Sequence, residues 1–304
     1  MHIGLIGLGK MGFNMRQRLR DAGIEVTGFD RNPEVSDAAS LDALVAALPV
    51  PRTVWVMVPA GTATDSVITD LAGKLEAGDL VIDGGNSRFT EDQRHQALLA
   101  GRGIGFIDVG VSGGVWGLAN GYGLMAGGEP EQIEAALPVF DALRPEGPRE
   151  ESFVHVGDVG AGHYAKMVHN GIEYGLMQAY AEGYELLEAK DIVRDVPGTF
   201  RAWQKGTVVR SWLLDLMVKA LQEDPGLAHV AGYVEDSGEG RWTVEEAVAN
   251  AVPAPAITAA LFARFDSRQD DSPAMKMVAA LRHQFGGHAV RRPGEGPQAQ
   301  GSPA

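Results

Sequence analysis

Four side chains of different chemistry stand close together in the sequence: Lys166, His169, Asn170 and Glu173, spaced i, i+3, i+4 and i+7. On a helix that spacing puts an ammonium, an imidazole, an amide and a carboxylate on one face. A lysine set in an apolar cleft has its charged form disfavoured and exchanges a proton near neutral pH, which makes Lys166 a general-base candidate. The plainer alternative is a solvated polar face with Lys–Glu pairing. Against it, Gly171 and Gly175 are mixed among the ionic groups, and the opposite faces carry Met167, Val168, Ile172 and Leu176.

A second group of residues suits a phosphate-bearing ligand. Gly7, Leu8, Gly9, Lys10, Met11 and Gly12 form G-x-G-x-x-G directly after the apolar run that starts at Ile3 and before a helical pattern of Met15, Leu19 and Ala22. Gly7 makes the tight turn, Gly9 admits a pyrophosphate to the backbone, and Gly12 lets helix and strand pack closely, with the helix N-terminus supplying positive potential. The next strand pattern, from Glu25 to Phe29, ends at Asp30, where a carboxylate accepts from adenosine ribose hydroxyls and repels a 2′-phosphate. That favours NAD. Arg31 beside it argues for NADP, since an arginine there pairs with a 2′-phosphate, so use of both remains open. Val58, Pro59 and Ala60, and the turn of Asp83, Gly84, Gly85, Asn86 and Ser87, fall where strands end and should border the nicotinamide. Gly110, Val111, Ser112, Gly113 and Gly114 follow a further strand, and their backbone N–H groups can form a nest for an anion.

These groups need a scaffold to position them. Strand patterns at Ile3–Ile6, Glu25–Phe29, Thr53–Val58, Leu80–Ile82, Gly105–Val109 and Leu124–Ala126 alternate with helix-length stretches, which predicts βαβ units and a mostly parallel, doubly wound sheet. After Gly160 the pattern becomes helical, with Ala161–Ala189, Ser211–Gln222, Trp242–Ala251 and Ala274–Phe285 as candidates. The expected organisation is an α/β dinucleotide-binding domain of the Rossmann type over 1–159 and an all-α domain over 160–290. The Pro- and Gly-rich residues 291–304 form an expected disordered tail.

Composition excludes several classes. The 304 residues, 45% hydrophobic and 22% charged, suffice for about two domains with real cores. Forty glycines are about twice the usual ~7% share. A net charge of −14 disfavours nucleic acid and anionic membrane surfaces as partners. With no cysteine, disulfides, thiol catalysis and cysteine-ligated metals are excluded. No apolar run reaches the ~18–20 residues of a membrane span, so the expectation is a soluble, cytoplasmic protein with no metal in its site.

Together, Gly7–Gly12, the Asp83–Ser87 turn, Gly110–Gly114, Gly160–Gly175, and Phe285, Gly286, Gly287 and His288 preceded by Arg282, resemble the decarboxylating 6-phosphogluconate dehydrogenases of the β-hydroxyacid dehydrogenase superfamily, in a short form. The resemblance spans nearly the whole chain except the tail. It implies that Lys166 takes the proton of the substrate 3-hydroxyl and later returns one, and that Glu173 protonates C1 of the enediol. It also implies that Asn86, Ser112, Gly113, Gly114, His169 and Asn170 surround the carboxylate and hydroxyls of 6-phosphogluconate. Tyr174, Arg264, Arg282 and His288 would then surround its phosphate, with Arg282 and His288 donated across a homodimer or higher oligomer.

One departure stands out. Ser237 occupies the position of a phosphate-binding lysine of the full-length family, with Glu239 and Arg241 nearby. Arg88 has no role assignable from sequence. Two other readings compete: a non-decarboxylating dehydrogenase or reductase of a small unphosphorylated acid, and a nicotinamide-binding redox sensor without turnover. The second would need a reader domain or a basic helix cluster, and neither is evident in the sequence.

Overall fold

The apolar runs inside the sheet become strands because both faces are covered: Ile3 to Ile6 are all buried, as are Leu80 to Asp83. In the computed structural model, which describes residues 1–286 and 289–290, seven strands form one sheet. They are β1 (His2–Ile6), β2 (Glu25–Phe29), β3 (Thr53–Val56), β4 (Leu80–Asp83), β5 (Gly105–Ser112), β6 (Gly123–Gly127) and β7 (Phe153–Gly157). Twelve α-helices accompany them among the described residues. The first six are α1 (Lys10–Asp21), α2 (Leu41–Ala47), α3 (Thr62–Lys74), α4 (Phe89–Ala100), α5 (Gly117–Asn120) and α6 (Pro130–Leu143). The rest are α7 (Ala161–Glu188), α8 (Val196–Trp203), α9 (Trp212–Glu223), α10 (Glu239–Ala249), α11 (Pro255–Asp266) and α12 (Pro273–Gly286). His288 and the expected tail at 291–304 lie outside the described residues.

The strand order is β2-β1-β3-β4-β5-β6-β7. The first five strands are parallel, but β6 pairs antiparallel with β5, and β7 then pairs parallel with β6. Order reverses at β1, between β2 and β3, and the crevice beyond the strand ends there is where doubly wound sheets bind ligands. Strand alternation sends neighbouring residues to different layers. Leu5 joins a core with Met15, Leu19, Ile133 and Phe140 of α1 and α6, while Ile6 joins one with Leu44, Ile68, Leu71 and Leu99 of α2, α3 and α4.

The chain divides into two compact units, Met1–Ala179 with Ser237–Thr258, and Tyr180–Asp236 with Ala259–Ala304. The first unit holds the whole sheet, the first two-thirds of α7, and α10. Within the second, Val196, Phe200, Leu214, Val218 and Leu221 form a small core ringed by Tyr180, Tyr184 and Trp203. No helix among the described residues is long and apolar enough to cross a membrane.

Candidate active site

The loop between β1 and α1 shows why each of its glycines is glycine. Gly7 has φ +91°, and a Cβ there would stand 2.4 Å from the Met57 carbonyl oxygen. A Cβ on Gly12 would lie 1.9 Å from the Gly7 carbonyl, so only glycine lets α1 pack on the turn. Around Gly9 nothing lies within 4 Å of that position, which leaves open space for a ligand. No side chain caps the start of α1, and uncapped helix N–H groups favour a pyrophosphate. A cavity of about 1020 Å³ opens here, lined by Gly7, Gly9, Lys10, Met11, Gly12, Asp30, Arg31, Val58, Pro59 and Asn86. The donor set and the space fit a nicotinamide dinucleotide.

Two residues expected at this cofactor do not line the cavity. Leu8 is 4% exposed, and its side chain belongs to the core; its backbone N–H donates to Asp30 Oδ2 at 2.7 Å. Ala60 is absent from the lining, while Thr62, Ala63, Ser66 and Asp70 of α3 are present without having been read from the sequence. Asp30 Oδ1 accepts from the Asn32 N–H at 2.8 Å, so the carboxylate ties the glycine loop to the end of β2 and keeps lone pairs for ribose hydroxyls.

The reaction end is built on α7, which buries polar side chains alongside Met167 and Tyr174. Lys166 and Asn170 are buried at 8% and 9% exposure, while Ile172 and Leu176 are exposed. Glycines allow the burial: a Cβ on Gly110 of β5 would stand 2.4 Å from Lys166 Cβ, and one on Gly162 would stand 2.4 Å from the Met125 carbonyl. Asp108 of β5 anchors the helix start, accepting from the Gly160 N–H at 2.7 Å and the His163 N–H at 2.8 Å. His163 Nδ1 lies 2.8 Å from Asp92 Oδ2 of α4, and all three side chains are buried. Burial alone would lower the His163 pKa, but Asp92, Asp83 and Asp108 outweigh it and raise it to about 10. Asp92, Asp108 and His163, and likewise Asp83, Asp92 and His95, are close enough together to hold a metal ion. In both groups carboxylate oxygens serve hydrogen bonds: Asp108 takes the α7 N–H groups, and Asp83 takes the Gly85 N–H and the Ser87 hydroxyl.

On the cleft side, Lys166 Nζ donates to Asn170 Oδ1 at 2.5 Å and lies 3.3 Å from His169 Nδ1. His169 Nε2 is 3.3 Å from the Ser112 hydroxyl, and its Nδ1 is 4.0 Å from Glu173. The four-residue stripe and Ser112 thus form one connected cluster, followed by Gly113 and Gly114 at positive φ. Burial lowers the Lys166 pKa, opposed by the charges of Glu173 and Glu239. The surroundings of Lys166 are therefore more polar than the apolar cleft expected.

Glu239 was not read from the sequence as a site residue. It opens α10, is 2% exposed, and accepts from Asn86 Nδ2 and from the Ser237 hydroxyl. Tyr174 is buried against Gly240, and its hydroxyl accepts from the Ser237 N–H at 3.3 Å. Arg88 now has a place: it pairs with Glu245 at 2.7 Å and lies 5.9 Å from the Trp242 ring, both on α10. In the second unit Arg264 donates to the Glu235 carbonyl at 3.1 Å, and Arg282 is exposed on α12.

A glycine-lined dinucleotide cradle at the reversal of a doubly wound sheet, with a buried lysine and its polar partners in the same unit, defines a nicotinamide-dependent dehydrogenase. Residues 2–146 match the family model of the NAD-binding domain of 6-phosphogluconate dehydrogenase, and residues 162–284 match that of its C-terminal domain. The chain is 42% identical over 302 residues to the NAD(+)-dependent, decarboxylating 6-phosphogluconate dehydrogenase of Haloferax volcanii, covering 96% of this chain and 99% of that one. It is 36% identical over 289 residues to the NADP(+)-dependent, decarboxylating enzyme of Bacillus subtilis, covering 87% of this chain and 61% of that longer one. The solved 6-phosphogluconate dehydrogenase of Plasmodium falciparum superposes with a TM-score of 0.80 at 26% identity, over 97% of this chain and 67% of that one. The chain belongs to the 6-phosphogluconate dehydrogenase family.

Proposed function

We propose that the protein oxidises and decarboxylates 6-phosphogluconate to ribulose 5-phosphate and carbon dioxide, with NAD preferred and NADP accepted. The observation that carries this reading is the connected cluster in which buried Lys166 and Asn170 meet exposed His169 and half-buried Ser112, in the same unit as the dinucleotide cradle. Bound NAD supplies the hydride acceptor. Neutral Lys166 takes the proton of the substrate 3-hydroxyl, and its burial makes that neutral form accessible. As a cation it then polarises the 3-keto oxygen, making the carbonyl an electron sink for loss of carbon dioxide without a metal. Lys166 returns its proton to that oxygen as carbon dioxide leaves, giving the enediol; Glu173, one helical turn beyond His169, then delivers a proton to C1 while Lys166 takes back the hydroxyl proton. Asn86, Ser112, Gly113, Gly114, His169 and Asn170 hold the carboxylate and hydroxyls.

The phosphate end falls to Tyr174, Arg264, Arg282 and His288, the last two donated between copies of the chain. Support for self-association comes from α12, where Met275, Met277, Val278 and Leu281 are exposed around Arg282.

The test is initial rates with 6-phosphogluconate and with gluconate, each with NAD and with NADP, following reduced cofactor and carbon dioxide together. Equal yields of both products with the phosphorylated acid alone support the reading. Reduced cofactor without carbon dioxide, or activity confined to gluconate, overturns it.

A further inference from the structure

Glu239 is a buried carboxylate that the reaction just outlined does not use. An ionised carboxylate only accepts hydrogen bonds, whereas an amide has a donating and an accepting end. Glu239 therefore dictates which end of Asn86 turns toward α10: the NH₂ group. The Asn86 carbonyl oxygen and second N–H are left for a ligand in the cavity that Asn86 lines.

The carboxylate is itself held in place. A Cβ on Gly240 would stand 2.4 Å from the Tyr174 ring, and one on Gly171 would stand 2.7 Å from the Thr243 side chain, so α10 packs flush on α7. The Thr243 hydroxyl lies 2.9 Å from the Met167 carbonyl and 2.8 Å from that of Glu239. Glu239 thus links the helix that carries Lys166 to the turn that carries Asn86. Its negative charge also repels either anionic end of a sugar-acid phosphate, so the neutral hydroxyl-bearing middle of the chain is what suits Asn86.

We propose that Glu239 is a positioning residue of the substrate site, holding the Asn86 amide in the one orientation that reads the hydroxyls of a polyhydroxylated acid. This rests on the reading of 6-phosphogluconate as substrate.

The test is a double-mutant cycle of wild type, Asn86→Ala, Glu239→Gln and the double variant, measuring kcat and KM for 6-phosphogluconate and KM for NAD. Glu239→Gln should raise KM for 6-phosphogluconate on the order of tenfold, the loss of one charge-assisted hydrogen bond. Compared on the pH plateau of each variant, kcat and KM for NAD should stay within about twofold of wild type; the Glu239 charge opposes the lowering of the Lys166 pKa, so the profile itself should move to lower pH. The double variant should be no worse than Asn86→Ala, because Glu239 acts through that amide. Additive losses, or wild-type kinetics in Glu239→Gln, overturn the proposal. Should Glu239→Gln fail to fold, Glu239→Asp, which keeps the charge but withdraws it, should show the same KM shift, erased in the Asn86→Ala background; an additive or absent shift again overturns it. A wild-type enzyme inactive on 6-phosphogluconate ends the functional reading and this inference together. An active wild type with an additive cycle ends this inference alone.

Discussion

The Cβ that Gly110 lacks would stand 2.4 Å from the Cβ of Lys166. The proposed base of the reaction is thus seated by a missing methyl group on the neighbouring strand. Gly110→Ala must push α7 away from β5, also meeting the Gly162 carbonyl at 2.7 Å. We expect a stability loss of about 1–3 kcal/mol and a fall in kcat of up to about 10²-fold. Urea midpoints and steady-state rates check both.

Lys166→Met should lower kcat by about 10²–10⁴-fold, the usual worth of a positioned proton carrier. Cofactor affinity should be unchanged, because the cradle at Gly7–Gly12 is untouched. Fluorescence titration with NADH separates the two; full turnover in this variant would remove Lys166 from the mechanism.

The pH profile should carry the mark of Lys166. Burial lowers its pKa below the ordinary lysine value of 10.5, so kcat/KM should rise with pH as the ammonium loses its proton and level off before that value. A limb that continues to climb past it would place Lys166 in water.

Stability should respond to pH through His163. Its folded-state pKa is raised to about 10. Its contribution is therefore fully present below the unfolded imidazole value of about 6.5 and is lost as pH rises toward 10. Denaturant midpoints at pH 7 and 9.5 should fall for wild type and fall less for His163→Gln.

Asp30→Ala should shift preference toward NADP by removing a charge that repels a 2′-phosphate. It should also raise KM for NAD, because the Leu8 N–H loses its acceptor. An unchanged ratio of NAD to NADP efficiency would show that Asp30 does not set selectivity.

Much of this architecture is legible in the sequence where a single rule dominates. Strands β1 to β5 follow from apolar runs between glycine turns, and the stripe of Lys166, His169, Asn170 and Glu173 follows from helical spacing. Strand β7 was missed because Phe153–Gly157 is short, and three of its five residues are exposed. Strand β6 follows from the run at Leu124–Ala126, but its antiparallel direction leaves no mark in a five-residue pattern. Helices α8 and α11 begin at or beside prolines, Pro197 and Pro255, which read as breaks. Glu239 is legible only as a charge beside Ser237, because a glutamate among glycines reads as solvated; its burial depends on Gly171 and Gly240, which admit α10 to the surface of α7. Sequence adjacency holds no sign of that long-range packing.

The first unit is discontinuous, resuming at Ser237 after the stretch Tyr180–Asp236, which belongs to the other. During synthesis the cradle and the lysine helix emerge early, but Glu239 and Thr243 emerge only after that intervening stretch. Completion of the reaction site is therefore a late event in the life of the nascent chain, with the slow loop closure that distant contacts entail. A ribosome-stalled intermediate ending before Ser237 would hold a nucleotide fold whose catalytic helix still lacks its α10 cover.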